Sequence, residues 1–275
     1  DIGDGILCFE FTGKSNSIGE GVGKALLETI EIAEEGHWKG LVIGNNAKQF
    51  SVGANLMNIG MFAMQKQFDV LERFVHNFQQ INMKIRTSKI PVVVATQGYV
   101  FGGGCEIAMH CDAGIYAAES YIGLVEVGVG LLPGGGGTKE FAVRASDDFF
   151  EGDVQSPTLI NYFKSIATAA VSTSAHEAFD LKYLRHERDE VCVNTHMNIG
   201  IAKDKVLELA KNYIFEVRNK IDSDIILISY DLNKSLNFLS NYPNEFNNFL
   251  KTTRNKFFMQ EEVVILSGSR LSLIH

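Results

Sequence analysis

The sequence predicts an α/β protein in which short apolar strands alternate with amphipathic helices. Residues 41–43 and 91–96 are short runs rich in β-branched side chains, typical of buried strands. Residues 17–35 and 61–85 instead repeat apolar side chains at helical spacing. Strands and helices that alternate in this way favour the α/β class. Periodicity alone does not decide how the strands are arranged in the sheet.

The first elements follow in order from the N-terminus. Residues 5–12 alternate into a first strand, and the helix over residues 17–35 ends at Gly36. After the strand at residues 41–43, residues 45–55 form a loop. The long helix predicted over residues 61–85 has one apolar face, made of Met64, Phe68, Leu71, Val75, Phe78 and Ile85.

The residue pattern changes twice in the second half of the chain. Residues 146–157 are acidic and polar, which indicates a surface loop or a short insertion, and residues 159–171 suit a helix. Ser174 and Glu177 have the spacing of a capping box that opens another helix. A short strand follows at residues 189–194. From residue 195 the pattern is helical and strands stop, so we predict two regions, 1–194 and 195–275.

Composition limits the class of partner. Of 275 residues, 45% are hydrophobic and 21% are charged, as in ordinary globular proteins. The net charge is −8 and no basic run occurs, which argues against nucleic acid and membrane as partners. An anionic small molecule needs only a local basic pocket, so such a ligand stays possible. The four cysteines show no CxxC pairing, so we expect reduced thiols and a cytoplasmic protein. Because the chain begins at Asp1, we expect that a preceding segment was removed or lies upstream.

A glycine-rich turn after the strand at residues 91–96 is the centre of the candidate site. Three consecutive glycines, 102–104, lead into a helix predicted over residues 105–111. A strand, a tight turn and a helix start leave backbone N–H groups without partners. Glu106 lies in the first turn of this helix, and Glu126 interrupts a later apolar run. Two carboxylates beside free N–H donors indicate acid–base chemistry on a substrate that develops negative charge.

Structural explanations of these residues remain open at this point. The helix dipole favours glutamate in a first turn, whatever the function of the protein. Glu126 could face solvent at the end of a strand, and the glycines could simply form turns. A phosphate loop requires Gly-Lys-Ser/Thr, which is absent, and Pro133 occupies the third glycine position of the dinucleotide pattern. No group of residues has the spacing of metal ligands, and Ser120 has no identifiable His/Asp partners.

Three motifs nevertheless resemble those of the crotonase superfamily, and specifically of its enoyl-CoA hydratases. They are KQFSVGAN (48–55), GYVFGGGCEIAMHCD (98–112) and the Glu126 segment with the downstream LLPGGGGT (131–138). Their order and separations are those of the family, and the resemblance covers residues 1–215. The chain is similar to the hydratase portion of bacterial proteins in which a hydratase is fused to a 3-hydroxyacyl-CoA dehydrogenase. The resemblance implies a spiral of ββα units followed by a C-terminal helical region.

The resemblance also implies a reaction and its residues. The family adds water to an enoyl-CoA in fatty acid β-oxidation. The backbone N–H groups of Ala54 and Gly103 match its oxyanion hole. Glu126 matches the residue that delivers a proton to C2, and Glu106 the one that activates water. Lys48 matches a lysine near the adenine end of coenzyme A. Coenzyme A enters as part of the substrate, so neither a separate cofactor nor a metal is expected.

Several residues of the chain depart from the family pattern. Asn55 replaces a common aspartate, Val125 a proline, and Lys139-Glu140 the usual Gln-Arg. His110 occupies an ordinary packing position. The family implies a trimer or hexamer, and the fusion implies part of a larger enzyme, although the tail after residue 215 is unmatched. Two alternatives stay open: an enoyl-CoA isomerase that uses one glutamate, and a non-catalytic subunit that binds acyl-CoA.

Overall fold

Five parallel strands form one sheet in which each strand lies beside its successor in the chain. The computed structural model describes residues 1–149, 152, 154–223 and the strands at 256–258, 263–267 and 270–274. The strands of the parallel sheet are β1 (Ile6–Glu10), β2 (Gly40–Gly44), β3 (Val92–Phe101), β4 (Ala113–Gly123) and β5 (Asp189–Cys192). Parallel neighbours require crossover connections. Because helices provide most of these connections, the predicted α/β class is confirmed.

The helices include the elements that position the candidate site. They are α1 (Glu20–Glu35), α2 (Leu56–Met64), α3 (Phe68–Arg86), α4 (Gly103–His110), α5 (Gly137–Asp147), α6 (Gln155–Ala167), α7 (Ala175–Asp180) and α8 (Asn198–Ser223). At the start of α7 the Ser174 hydroxyl accepts the N–H of Glu177 at 3.2 Å, as the predicted cap requires. The predicted helices over residues 17–35 and 159–171 correspond to α1 and α6.

The core explains why the strands are so apolar. All five residues of β2 are buried, because the sheet is covered on both faces. One cluster of buried side chains joins the strands to α8; its members are Ile6, Val42, Val93, Ala95, Ala113, Ile115, Cys192, Ala202 and Val206. The four cysteines are free thiols, and all except the half-buried Cys8 are buried. The expected burial of the cysteines thus holds for three of the four, and their reduced state stays a prediction.

The prediction of a single helix over residues 61–85 is wrong. The chain forms α2 and α3 instead, and Lys66 between them adopts a left-handed φ of 54° that no continuous helix allows. Asn55 caps α2 by accepting two N–H groups of its first turn, so this helix starts earlier than predicted. Met64 and Phe68, which were expected to face inward, are 87% and 62% exposed.

The expectation that strands stop after residue 195 is also wrong. A helix, α8, does begin at Asn198, but an antiparallel sheet of β6 (Lys256–Phe258), β7 (Val263–Ser267) and β8 (Arg270–Ile274) follows. The β-branched run in β7 and the alternating apolar residues in β8 favour strands. Most of the unmatched tail, residues 224–255, lies outside the described residues. The division at residue 195 stays a prediction.

Contacts divide the chain into two compact units. The first comprises Asp1–Ala142 and Val154–Lys211, and it contains the parallel sheet. The second comprises Val143–Asp153 and Asn212–His275, and it contains the antiparallel strands. Among the described helices, none is both long enough and apolar enough to span a membrane.

Candidate active site

The site forms where β3 ends and α4 begins. Gly102 connects the two elements with a φ of 51°, a left-handed conformation that favours glycine. A Cβ at this position would lie 3.0 Å from Oε1 of Glu126, so a larger residue would also displace that carboxyl. Helix α4 therefore starts with the Gly103 N–H pointing out of the helix, close to an acidic side chain.

The loop before α2 brings a second N–H group to the same place. A Cβ at Gly103 would lie 3.5 Å from the amide nitrogen of Ala54, so the two backbone segments are in contact. Ile18 pairs with this loop by donating its N–H to the Gly53 carbonyl and accepting the Asn55 N–H. Successive N–H groups of an extended segment point to opposite sides, so that of Ala54 points away from Ile18.

Within the described part of the chain, the N–H groups of Ala54 and Gly103 have no hydrogen-bond acceptor. The loop that carries Ala54 is nevertheless fixed. Ser51 donates its hydroxyl to the Asn16 carbonyl at 2.7 Å and accepts the Gly53 N–H at 3.0 Å. Gly53 itself has a φ of 89°. The structure thus brings Ala54 and Gly103 together and, within the described residues, offers neither N–H an acceptor. Their role as an oxyanion hole stays a prediction.

Glu106 is buried within α4 and is held by a second glycine-rich loop. Its Oε1 atom accepts the N–H groups of Gly135 at 2.8 Å and Gly137 at 2.9 Å. Only 2% of the residue is exposed to solvent. Two backbone donors on one oxygen favour the ionised carboxylate, whereas burial opposes it. The first-turn position predicted from the sequence is confirmed, but these two donors, 29 and 31 residues away, were missed.

Helix α3 holds this glycine-rich loop in place. The Gln79 and Asn82 side-chain amides donate to the carbonyls of Gly134 and Gly135, each at 2.7 Å. The ring of Phe78 fills the space beside Gly103 and Gly135. Sequence analysis placed Phe78 on the inner face of a helix but gave it no role at the site, because the loop it contacts lies more than fifty residues away.

Replacing Gly135 with alanine tests this packing without any assumption about function. The new Cβ would lie 2.5 Å from Oε2 of Glu106 and even closer to the Phe78 ring. Because real Cβ atoms do not approach so closely, we expect the free energy of unfolding to fall by about 1–3 kcal/mol. Chemical denaturation measures this change. Gly134→Ala is the control, because its Cβ would meet Val75 at an ordinary 3.4 Å. Equal stability of the two variants would contradict the described packing.

Glu126 lies beside Gly102, at the start of α4. It is the first residue of a short 3₁₀ helix, Glu126–Val129, that follows β4. Its Oε2 atom is buried and makes no hydrogen bond within the described part of the chain. An unsatisfied buried carboxyl oxygen is costly. Such an atom indicates a place where a ligand or water completes the hydrogen bonding.

The two carboxyls influence each other. Burial, and then the negative charge of Glu126, raise the pKa of Glu106 to about 8. Burial raises the pKa of Glu126 to about 7. The pair therefore holds one proton near neutral pH. The deeper burial of Glu106 favours the proton there, but the two N–H donors on its Oε1 favour charge there and a proton on Glu126. Because these two effects act in opposite directions, both singly protonated forms of the pair are accessible.

Two other predicted residues lie outside this arrangement. Lys48 is exposed in the loop between β2 and α2, and its contact with coenzyme A stays a prediction. His110, expected to serve in packing, is buried and its Nδ1 atom lies 2.6 Å from the carbonyl oxygen of Glu106. Burial lowers the pKa of His110 to about 3, so the ring is neutral.

Comparison with known proteins agrees with this geometry. The family described as "Enoyl-CoA hydratase/isomerase" matches residues 2–148, which include both glutamates and both candidate N–H donors. The chain belongs to this family. A solved enoyl-CoA hydratase from Polaromonas sp. JS666 shares the fold, with a TM-score of 0.64 at 19% identity, covering 92% of this chain and 91% of that one. The expected crotonase fold is thus confirmed.

Longer proteins are also similar to the chain. A Bacillus subtilis protein named "Probable 3-hydroxyacyl-CoA dehydrogenase" is 40% identical over 194 residues, which are 70% of this chain and 24% of that protein. A Rickettsia felis protein named as a candidate "fatty acid oxidation complex trifunctional enzyme" is 29% identical over 201 residues, 73% of this chain and 26% of that protein. The chain therefore spans about a quarter of the length of these relatives.

Proposed function

We propose that this member of the family hydrates the C2=C3 double bond of a trans-2-enoyl-CoA to give a 3-hydroxyacyl-CoA. The observation that carries the proposal is the pair of coupled carboxyls, Glu106 and Glu126, beside two N–H donors that lack acceptors in the described part of the chain. Hydration needs one base, one acid and a site for negative charge. These groups can supply all three.

The N–H groups of Ala54 and Gly103 would bind the thioester oxygen. This oxygen gains negative charge as water attacks C3 and an enolate develops. Backbone donors held by a rigid frame need no reorganisation during the reaction, and they cannot lose their protons at working pH. One such donor typically contributes about 3–4 kcal/mol to stabilising the transition state.

The two carboxyls would divide the proton transfers between them. A water molecule donates a proton to ionised Glu106 while its oxygen forms the bond to C3. Protonated Glu126 gives its proton to C2, where the enolate electrons form the new C–H bond. The pair ends with the proton on Glu106, so one proton must return to Glu126 before the next turnover. Because both carboxyls have raised pKa values, either one can hold the proton, which allows this return.

Incubation of the chain with crotonyl-CoA tests the proposal. We expect the absorbance of the conjugated thioester to fall until hydration reaches equilibrium. The control Glu119→Gln should behave as wild type, since this side chain is exposed to solvent. A purified, folded chain that leaves the absorbance unchanged would contradict the proposal.

Two alternatives differ from hydration in measurable ways. An enoyl-CoA isomerase moves the double bond and needs a single carboxyl, so one of the two glutamates would be dispensable. A non-catalytic subunit binds acyl-CoA without turnover. The two carboxyls with raised pKa values favour hydration, because hydration needs both an acid and a base whereas the isomerase alternative uses a single glutamate.

The cellular setting is proposed on the same basis. The names of the relatives support fatty acid β-oxidation, with this chain as the hydratase portion of a larger fused enzyme. The substrate would be an acyl-CoA thioester whose coenzyme A passes near Lys48, and no separate cofactor would be required. We propose a cytoplasmic location. If the native protein in cell extracts sediments together with a dehydrogenase activity, the result would support the fusion. If the hydratase and dehydrogenase activities separate, the result would oppose it.

We expect the isolated chain to form a trimer or hexamer, as the family resemblance implies. Helix α2 and the start of α3 expose Met57, Met64 and Phe68 at 82%, 87% and 62%, and large apolar side chains grouped in this way favour association. Light scattering over a concentration series measures the assembly. A monomer at micromolar concentration would show this prediction to be wrong, whatever the result of the activity assay.

A further inference from the structure

A cluster of four polar and charged side chains, two of them buried and two partly buried, lies next to the candidate active site. It consists of Arg86, His110, Lys139 and Glu140, which we call the charged cluster. The Lys139 ammonium lies 2.9 Å from Nε2 of His110 and 2.8 Å from Oε1 of Glu140. The Arg86 guanidinium donates to Oε2 of Glu140 at 3.1 Å. The side chain of Glu140 is fully buried, and that of Lys139 is 20% exposed.

The hydrogen bonds determine the charge of each group. His110 is neutral, and its Nδ1 atom lies 2.6 Å from the backbone oxygen of Glu106. A carbonyl can only accept, so Nδ1 carries the proton and Nε2 is the acceptor for the Lys139 ammonium. The cluster then contains two cations, Arg86 and Lys139, and one anion, Glu140. Its net charge is +1.

Only one peptide segment separates this positive charge from Glu106. A Cβ at Gly136 would lie 3.1 Å from the His110 ring and 3.7 Å from Cε of Lys139. The N–H groups of the residues on either side of Gly136 donate to Oε1 of Glu106. The same short segment therefore touches the carboxyl on one side and the charged cluster on the other.

Charged groups of opposite sign thus face Glu106 from different elements. The titratable and charged groups around it are Glu126 of the 3₁₀ helix, Lys139 and Glu140 of α5, Arg86 of α3, and His110 of its own helix. Glu126 disfavours the negative charge on Glu106, and Lys139 favours it. Within the cluster Glu140 pairs with both cations, Arg86 at 3.1 Å and Lys139 at 2.8 Å. Of these two cations, Lys139 is the one whose side chain packs against the Gly136 segment that binds Glu106.

We propose that Lys139 is a positioning residue for Glu106, whose charge keeps that buried carboxyl able to ionise and so able to act as a base. This inference rests on the proposed function for its link to catalysis. The electrostatic part does not depend on it. His110 holds the lysine in place as a neutral acceptor, which explains why a buried histidine with a low pKa lies next to the site without entering the chemistry.

Lys139→Gln and Lys139→Arg test this role as a matched pair. Glutamine removes the charge but retains a hydrogen-bond donor for His110, whereas arginine retains the charge. Infrared absorption of the protonated carboxyl, followed against pH, reports the titration of Glu106; its loss in Glu106→Gln assigns the band. We expect the midpoint to rise by about one unit in the glutamine variant, because removal of a nearby cation destabilises the carboxylate. In the arginine variant it should stay near the wild-type value.

The pH profile of hydration gives a second readout. A base that must be ionised produces an acidic limb in kcat/KM, and this limb should move upward by the same amount in Lys139→Gln. If the glutamine variant does not fold, Lys139→Met removes the same charge. An unchanged midpoint in a folded charge-removing variant would overturn the inference, as would an equal shift in Lys139→Arg. A wild-type chain that does not hydrate crotonyl-CoA would refute the proposed function, while the infrared titration still decides the inference.

Discussion

Glu106→Gln and Glu126→Gln are each expected to lower kcat for hydration by about 10²–10⁴-fold, the usual contribution of general acid–base catalysis. Glutamine retains the shape of each side chain and can still accept the N–H groups that hold Glu106. The amide can neither take a proton from water nor give one to C2. Steady-state kinetics with crotonyl-CoA measures the effect, and acyl-CoA binding should persist in both variants.

The double variant separates a cooperating pair from two independent groups. Because both carboxyls act on one substrate and one water, the loss in Glu106→Gln/Glu126→Gln should be close to that of the worse single variant, not the product of the two. Glu119→Gln is the matched control, since it changes an exposed glutamate of β4. Hydration at the wild-type rate in either single variant would remove that residue from the mechanism.

Gly103→Pro is expected to lower kcat by about 10²–10³-fold, as the loss of one oxyanion donor typically does. Proline has no N–H, and the first position of a helix is the one that tolerates its ring best. The substitution therefore removes the proposed donor while helix α4 can still form. Kinetics with crotonyl-CoA, after circular dichroism has verified folding, measures the effect.

Gly103→Ala is the control for this change, because it keeps the N–H and adds only a Cβ. That Cβ would lie 3.1 Å from the Phe78 ring, so the ring must move by a few tenths of an ångström. We expect a much smaller loss of activity than in the proline variant. A folded Gly103→Pro protein that matches the alanine variant would show that this N–H does not bind the thioester oxygen.

The parts of the site that depend on local geometry could be predicted from the sequence. A strand, a glycine turn and a helix start are successive in the chain, so the first-turn position of Glu106 and the free N–H of Gly103 follow from their neighbours. Glu126 was visible because it interrupts an apolar run, and the likeness of two further motifs to a known family supplied Ala54 and the role of Glu126. The burial of Glu126 Oε2 without a partner among the described residues agrees with the chemical cost that the apolar run around it suggested.

Contacts between distant segments could not be predicted in the same way. The N–H groups of Gly135 and Gly137 reach Glu106 only because α3 fixes their loop through Asn82 and its neighbours. The position of His110 one turn after Glu106 was visible in the sequence, but its contact with Lys139 depends on how α5 packs. A partner that sits 29 residues away leaves no periodic signal in the sequence.

Two errors in the fold prediction have local causes that propensity did not reveal. The apolar spacing continues through Met64 and Phe68, so a periodicity argument joins α2 to α3, although Lys66 turns the chain between them. The helical pattern after residue 195 led to an all-helical tail. The β-branched run of β7 lies in the tail after residue 215, which matches no family motif, and no strand was predicted for it.

Hydration of crotonyl-CoA in ¹⁸O-labelled water tests the central claim most directly. If Glu106 and Glu126 add one water across the double bond, mass spectrometry should find 3-hydroxybutyryl-CoA that carries a single ¹⁸O atom, bound at C3. The folded double variant Glu106→Gln/Glu126→Gln is the control, and it should give almost no labelled product over the same time. An unlabelled product with a shifted double bond, or recovery of crotonyl-CoA unchanged from the folded wild-type chain, would contradict the account.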